Sequence, residues 1–266
     1  MKKNCIEIIS YTDPYCTWCW GSEPIMRKLK EQYGEQLKIS YVMGGLVKDI
    51  REFHDQANAI GGEHWYRQVA SHWLEASKKH HMPVDEQIYY DIKNEAFSTY
   101  PACIAFQAAK LQSEALGERY LRRLREATSI ERQVIQSRAV QNKLAEEVGL
   151  NLPLFKRSIN NGAANKAFKK DLQQCRNKGI SGFPSFIIRG FGEEILLKGY
   201  TSYKTFSYCL QNLSKHQLKP KASTATFSKI LDFIARYEKV AAIEVASVFD
   251  LPLRKAKTMH TELNGT

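Results

Sequence analysis

Cys16 and Cys19, in Asp13-Pro14-Tyr15-Cys16-Thr17-Trp18-Cys19-Trp20, are the residues whose type and spacing can do chemistry. Two cysteines separated by two residues close a small disulfide ring across one helical turn. Such a ring opens and closes when one of its sulfurs is easily held as a thiolate. The expected chemistry is thiol–disulfide exchange, in which Cys16 attacks or is attacked in a mixed disulfide and Cys19 resolves it. If Cys16 sits at a helix N-terminus, the unpaired N–H groups there stabilise its thiolate and lower its pKa.

Other uses of the pair fit less well. A closed zinc site needs a second pair of ligands, and Cys5, Cys103, Cys175 and Cys209 stand singly, without a His-x3–5-His partner. His54, His64 and His72 are scattered, and the expectation is no metal. A purely structural disulfide over so short a ring would remove little chain entropy. Cys103, Cys175 and Cys209 fall on helical patterns facing a core, where burial makes a thiol inert. Trp65, Trp73, Tyr66 and Phe97 read as core of a helical region or as lining for a peptide groove. His80-His81 reads as a solvated helix end.

The pair needs elements to position it. Cys5 to Tyr11 is apolar and β-branched, a short buried strand, and Pro24 to Tyr33 is an amphipathic helix. Leu37 to Met43 alternates as a second strand and ends at Gly44-Gly45. From about Lys48 to Leu172 the pattern is helical throughout. Ser185 to Ile188 and Glu194 to Leu197 form a hairpin, preceded by the glycine-punctuated Lys178-Gly179-Ile180-Ser181-Gly182-Phe183-Pro184. A helix from Tyr203 to Leu213 follows.

Four segments together give the sequence a family resemblance: Asp13-Pro14-x-Cys16-x-Trp18-Cys19, Gly44-Gly45, Thr99-x-Pro101-Ala102 and Gly179-x-x-Gly182-Phe183-Pro184-Ser185. Over residues 1–214 it resembles the DsbA-like branch of the thioredoxin superfamily, in particular the FrnE-like members. The resemblance implies an α/β, thioredoxin-like fold with a large inserted helical domain at about 48–178. It also implies a cis bond at Phe183–Pro184 in a loop facing the CxxC and aligning substrate backbone, with Thr17 and Trp18 tuning potential and contact surface. Relatives of this fold that are kappa-type glutathione transferases or 2-hydroxychromene-2-carboxylate isomerases carry a serine near the first cysteine. Both cysteines here argue against those activities.

The remainder of the chain reads as a linker, 215–223, polar and proline-broken, and a small helical unit, 224–266. Ala241 to Pro252 followed by Arg254-Lys255-Ala256-Lys257 has the look of a truncated helix-turn-helix, with basic residues near the start of its second helix. With a net charge of +11, this C-terminal appendage invites an acidic partner, protein or nucleic acid. No apolar span of 18 residues and no secretory leader is evident, so the chain reads as cytoplasmic; no cofactor motif appears. The expected function is a thiol–disulfide oxidoreductase or isomerase acting on protein or small disulfides. The alternative is a protease adaptor or a redox-regulated binding protein, since some cytoplasmic DsbA-like proteins deliver transcription factors to a protease.

Overall fold

The computed structural model describes residues 6–264; Cys5, read with the first strand, lies outside them. β1 (Ile6–Thr12) is buried along its whole length, as an apolar run with a strand on each side must be. A five-residue helix, α1 (Thr17–Gly21), follows directly on Cys16. After a break at Ser22 comes α2 (Glu23–Tyr33), with Pro24 in its first turn where a missing N–H costs nothing. β2 (Leu37–Met43) returns to the sheet.

The next stretch differs from the all-helical expectation. It opens on a two-stranded hairpin, β3 (His54–Asp55) and β4 (Ile60–Gly61), with His54 opposite Gly61. The Asp55 carboxylate accepts from the backbone and side-chain amides of Asn58, a local bond that competes with helix. The helices then follow as α3 (Trp65–His80), α4 (Ile88–Asp91), α5 (Tyr100–Lys110), α6 (Glu114–Ser129), α7 (Arg138–Glu147), α8 (Leu152–Asn160) and α9 (Ala163–Asn177). Their starts are written in side chains: Ser113 accepts from Leu116 N–H at 3.1 Å and Asn151 from Leu154 N–H at 3.0 Å.

The chain returns to the sheet through β5 (Ser185–Gly190) and β6 (Glu193–Lys198), turning at Phe191 and Gly192, both at positive φ. α10 (Tyr203–Leu213) precedes the last three helices, α11 (Phe227–Tyr237), α12 (Ala242–Val248) and α13 (Leu253–Asn264). Strand order in the main sheet is β2-β1-β5-β6. This is a thioredoxin-like α/β fold with a large helical insertion.

Two compact units divide the chain. One comprises residues up to 9, 21–39 and from 186 onward. Ile6 and Ile8 of β1, Leu29 of α2, Phe186 of β5 and Phe206 of α10 share its core. The last three helices have a small core of their own around Phe233, Val245 and Phe249. A helical unit of roughly forty residues is marginal alone, and within this unit α12 lies against α2. Consequently nine of the eleven residues of α2 are buried, Arg27, Lys28 and Gln32 among them. The amphipathic reading of α2 holds for its apolar face, but its polar face is covered too.

The other unit comprises 10–20 and 40–185 and holds the helical insertion and the CxxC segment. Trp65 stacks on Phe97 with ring centroids 5.3 Å apart, and Tyr15 meets Phe97 edge-on at 4.9 Å. Trp65, Trp73 and Phe97 are buried, so they are core and not the lining of an open groove.

Candidate functional site

Every residue of the candidate site belongs to the second unit. Asp13, at the end of β1, is fully buried. Its Oδ1 accepts from Tyr15 N–H at 2.9 Å, turning the chain toward Cys16. Its Oδ2 accepts from Leu46 N–H at 2.8 Å, the Thr99 hydroxyl at 2.7 Å and the Cys103 thiol at 3.4 Å. Burial pushes the Asp13 carboxyl up, and these donors hold it back. One side chain thus gathers three segments: the CxxC approach, the loop after Gly44-Gly45, and the Thr99-Tyr100-Pro101 start of α5.

Cys16 and Cys19 are both buried, at 6% and 3% exposure. The Cys19 N–H donates to Cys16 Sγ at 3.2 Å, and the Cys16 thiol donates to the Phe183 carbonyl at 3.5 Å. The Phe183–Pro184 bond is cis, and Pro184 is buried while Phe183 is half-buried. Gly44 lies against the Phe183 ring, where a Cβ would stand 1.8 Å from ring carbon. Only glycine leaves that ring room.

Thr17 and Trp18 face α3. The His80 ring accepts Met82 N–H at Nδ1, 3.1 Å, which leaves the proton on Nε2 to donate to the Thr17 hydroxyl at 3.3 Å. Trp18 meets the rings of His72 and His80 edge-on at 6.2 and 5.9 Å. Trp20 donates to Pro83 O at 2.8 Å and carries the Arg122 guanidinium over its ring. His80 is therefore not a solvated helix end: it is 2% exposed, and burial holds it neutral with a pKa near 4.

Electrostatically the surroundings of the two thiols differ. Burial pushes Cys16 up, as do Cys19 beside it and the Asp13 charge, and the Cys19 N–H only partly offsets them. Burial acts on Cys19 in the same direction. There it is overcome by hydrogen bonding from Cys16, the Arg125 charge, the Thr12 hydroxyl and Asp13 backbone, so Cys19 falls below its ordinary value. Cys103 is raised well above its ordinary value, and Cys175 to about 11, both chiefly by burial. Those two fit the inert reading.

The predicted residues Cys16, Cys19, Thr17, Trp18, Phe183 and Pro184 all lie in this unit, and Cys16 touches the Phe183 carbonyl directly. Thr12, His80 and Arg125 were missed. Arg125 is one of four arginines on α6, and only its burial sets it apart.

A family model described as Thioredoxin matches residues 9–208. The chain belongs to that family. Its fold is that of the DsbA-like oxidoreductases: a putative protein disulfide isomerase from Nitrosomonas europaea superposes with a TM-score of 0.64 at 19% identity, covering 79% of this chain and 96% of its own. Sequence similarity runs further. The ClpXP adapter protein SpxH of Halalkalibacterium halodurans is 28% identical over 261 residues, 96% of this chain and 82% of that one. The protein of the same name from Bacillus subtilis is 25% identical over 258 residues, with coverage of 96% and 82%. These relatives overturn the expectation of a thiol–disulfide oxidoreductase as the main function. The likeness to a disulfide isomerase is one of fold, whereas the similarity extending through the C-terminal helices is to adapters. No helix among the described residues is long and apolar enough to cross a membrane.

Proposed function

We propose that this chain is a cytoplasmic adapter that presents a protein client to the ClpXP protease. The observation that carries this reading is the extent of similarity. The adapters named SpxH match 96% of the chain, including the segment after residue 208 where the thioredoxin-family match ends. The thioredoxin-like part, 1–214, then serves as a binding body. The three C-terminal helices, reached through the 215–223 linker, form a docking module for a protein partner. On α13 the side chains of Arg254, Lys255 and Lys257 are exposed while Ala256 is buried, a basic face suited to an acidic protein surface.

The test is epistasis of protein turnover in the source cell. A client should be stabilised equally by loss of this chain and by loss of the unfoldase subunit, and no further by loss of both. Purified adapter should then restore its ATP-dependent degradation by ClpXP. If no protein has a half-life that depends on both components, the adapter reading fails.

A further inference from the structure

α8 and α9 pack on each other in the helical insertion, and their exposed side chains carry one sign of charge. Between Leu152 and Asn177 stand six cations, Lys156, Arg157, Lys166, Lys169, Lys170 and Arg176, and one acid, Asp171. All six cations are exposed. Asp171 is half-buried and turned inward, where it accepts from Met43 N–H at 2.7 Å and from the Gln107 amide. Among the described residues none of the six is in an ion pair. Arg176 donates instead to a neutral partner, Gln173 Oε1, at 2.8 Å. Other arginines of the insertion are matched: Arg122 to Glu126, Arg123 to Glu131 and Glu147, Arg132 to Asp91.

Helix stability does not account for this pattern. Lys166, Lys169 and Lys170 stand at i, i+3 and i+4, spacings at which like charges repel and destabilise a helix. Neither α8 nor α9 has an acid in its first turn, where one would offset the helix dipole. The amides of Gln173 and Asn177 continue the same face of α9, bonded to each other at 2.7 Å. The aromatic residues of the two helices, Phe155 and Phe168, are buried, which leaves no ring to stack a nucleic-acid base. Along the chain, α9 leads through Lys178–Gly182 to Phe183, whose carbonyl meets Cys16 in the same unit.

We propose that the exposed face of α8 and α9 is a docking surface for a short acidic segment of the client protein, centred on Lys166, Lys169 and Lys170. This rests on the adapter reading for the existence of a client, and it names the class of sequence that the thioredoxin-like body holds. Carboxylates laid along α9 would relieve the repulsion among its lysines, and the Gln173 and Asn177 amides would bond the backbone between them. From Lys166 to Arg176 the helix rises about 15 Å, the reach of roughly five extended residues. Because the charges are exposed, such binding should be strong at low salt and weaken as salt screens it.

Fluorescence anisotropy on the full chain tests the assignment, with a labelled peptide of about ten residues alternating Glu and Gly as the probe. A Lys–Gly peptide and a short duplex DNA are the comparators. The full chain should bind the acidic peptide and not the basic one. Lys166→Glu, Lys169→Glu and Lys170→Glu together should weaken binding at least about tenfold, and the three Lys→Arg changes should preserve it. Glutamate and glutamine form helix as well as lysine does, so the three Lys→Gln changes give a graded loss should the reversed triple not fold. The same reversal at Lys198, Lys204 and Lys229, exposed cations outside α8 and α9, should change binding little. Equal binding by the chain and the α9 triple would overturn the proposal, as would equal loss in the two triples, which would make net charge the cause. Duplex DNA bound more tightly than the peptide, with the same dependence on the α9 lysines, would overturn it too, since the stripe would then read phosphate. Peptide binding is measured without ClpXP, so failure of this assignment and failure of the adapter reading are separate results. A client whose degradation needs the chain should also be degraded more slowly with the α9 triple; turnover unchanged by that triple would overturn the docking surface and leave the adapter reading standing.

Discussion

The Thr99 hydroxyl donates to Asp13 Oδ2 at 2.7 Å across 86 residues of chain, which fixes the start of α5 against the end of β1. The same oxygen accepts from Leu46 N–H and the Cys103 thiol. Removing one donor leaves a buried acceptor partly satisfied, whereas removing the carboxylate strands several donors at once. Thr99→Val should cost about 1–3 kcal/mol in urea unfolding, and Asp13→Ala more than Thr99→Val. Equal costs would mean that Asp13 gathers nothing beyond Thr99.

Gly44 and Phe183 make a second long-range pair. A methyl at position 44 would meet the Phe183 ring at 1.8 Å, and the backbone there is otherwise permissive. Gly44→Ala should therefore displace the ring and destabilise the protein by about 1–3 kcal/mol. In a Phe183→Ala background the same change should cost much less, giving a coupling energy above about 0.5 kcal/mol in a double-mutant cycle. Additive costs would place the strain of Gly44→Ala elsewhere.

How far the sequence could be read depended on how local the signal was. The strand before Cys16, the CxxC, Gly44-Gly45 and the Gly182-Phe183-Pro184 loop are marked by residue type, and the structure assembles them as expected. The β3–β4 hairpin was hidden because His54-Asp55 and Ile60-Gly61 are too short for a period of two to register. Arg125 was hidden because charge spacing on α6 does not reveal which arginine turns inward. His80 looked like a polar helix end, and its role follows from His81 adopting φ 60° and ending the helix so that the ring folds back on Thr17.

Two buried groups should give the protein opposing pH dependences. Asp171 accepts from Met43 N–H at 2.7 Å and from the Gln107 amide, but burial raises its pKa from 3.8 to about 6. In the folded state it binds a proton that the unfolded chain has lost between those values. Its contribution is present below pH 3.8 and is lost as pH rises through about 6. His80 is lowered from 6.5 to about 4, so the unfolded chain binds the extra proton, and its contribution is present above 6.5 and lost as pH falls toward 4. Each is on the order of 2–3 kcal/mol. Asp171→Asn should make stability rise more steeply between pH 4 and 6 than in the unmodified protein. His80→Asn should make it rise less or fall. Urea midpoints measured across that range check both, and variants parallel to the unmodified curve would contradict the assignments.

The last prediction concerns how the C-terminal helices are held. Arg27 of α2 pairs with Glu244 of α12 at 2.8 Å, with side-chain exposures of 6% and 0%. The other Glu244 oxygen accepts from Ala241 N–H at 2.8 Å, capping α12, and the Arg27 guanidinium lies 4.4 Å from the centre of the Tyr237 ring. Breaking a buried pair by removing one partner leaves the other charge unmatched and costs about 3–5 kcal/mol, whereas replacing both by apolar groups can be neutral. Arg27→Met should therefore loosen α11–α13 and open the 215–223 segment to proteolysis, and Arg27→Met with Glu244→Leu should close it again. If the C-terminal helices are the docking module proposed, client degradation should fall in the single variant and recover in the double. Recovery of protease resistance without recovery of degradation would show that Arg27 or Glu244 acts in docking itself and not in holding the helices.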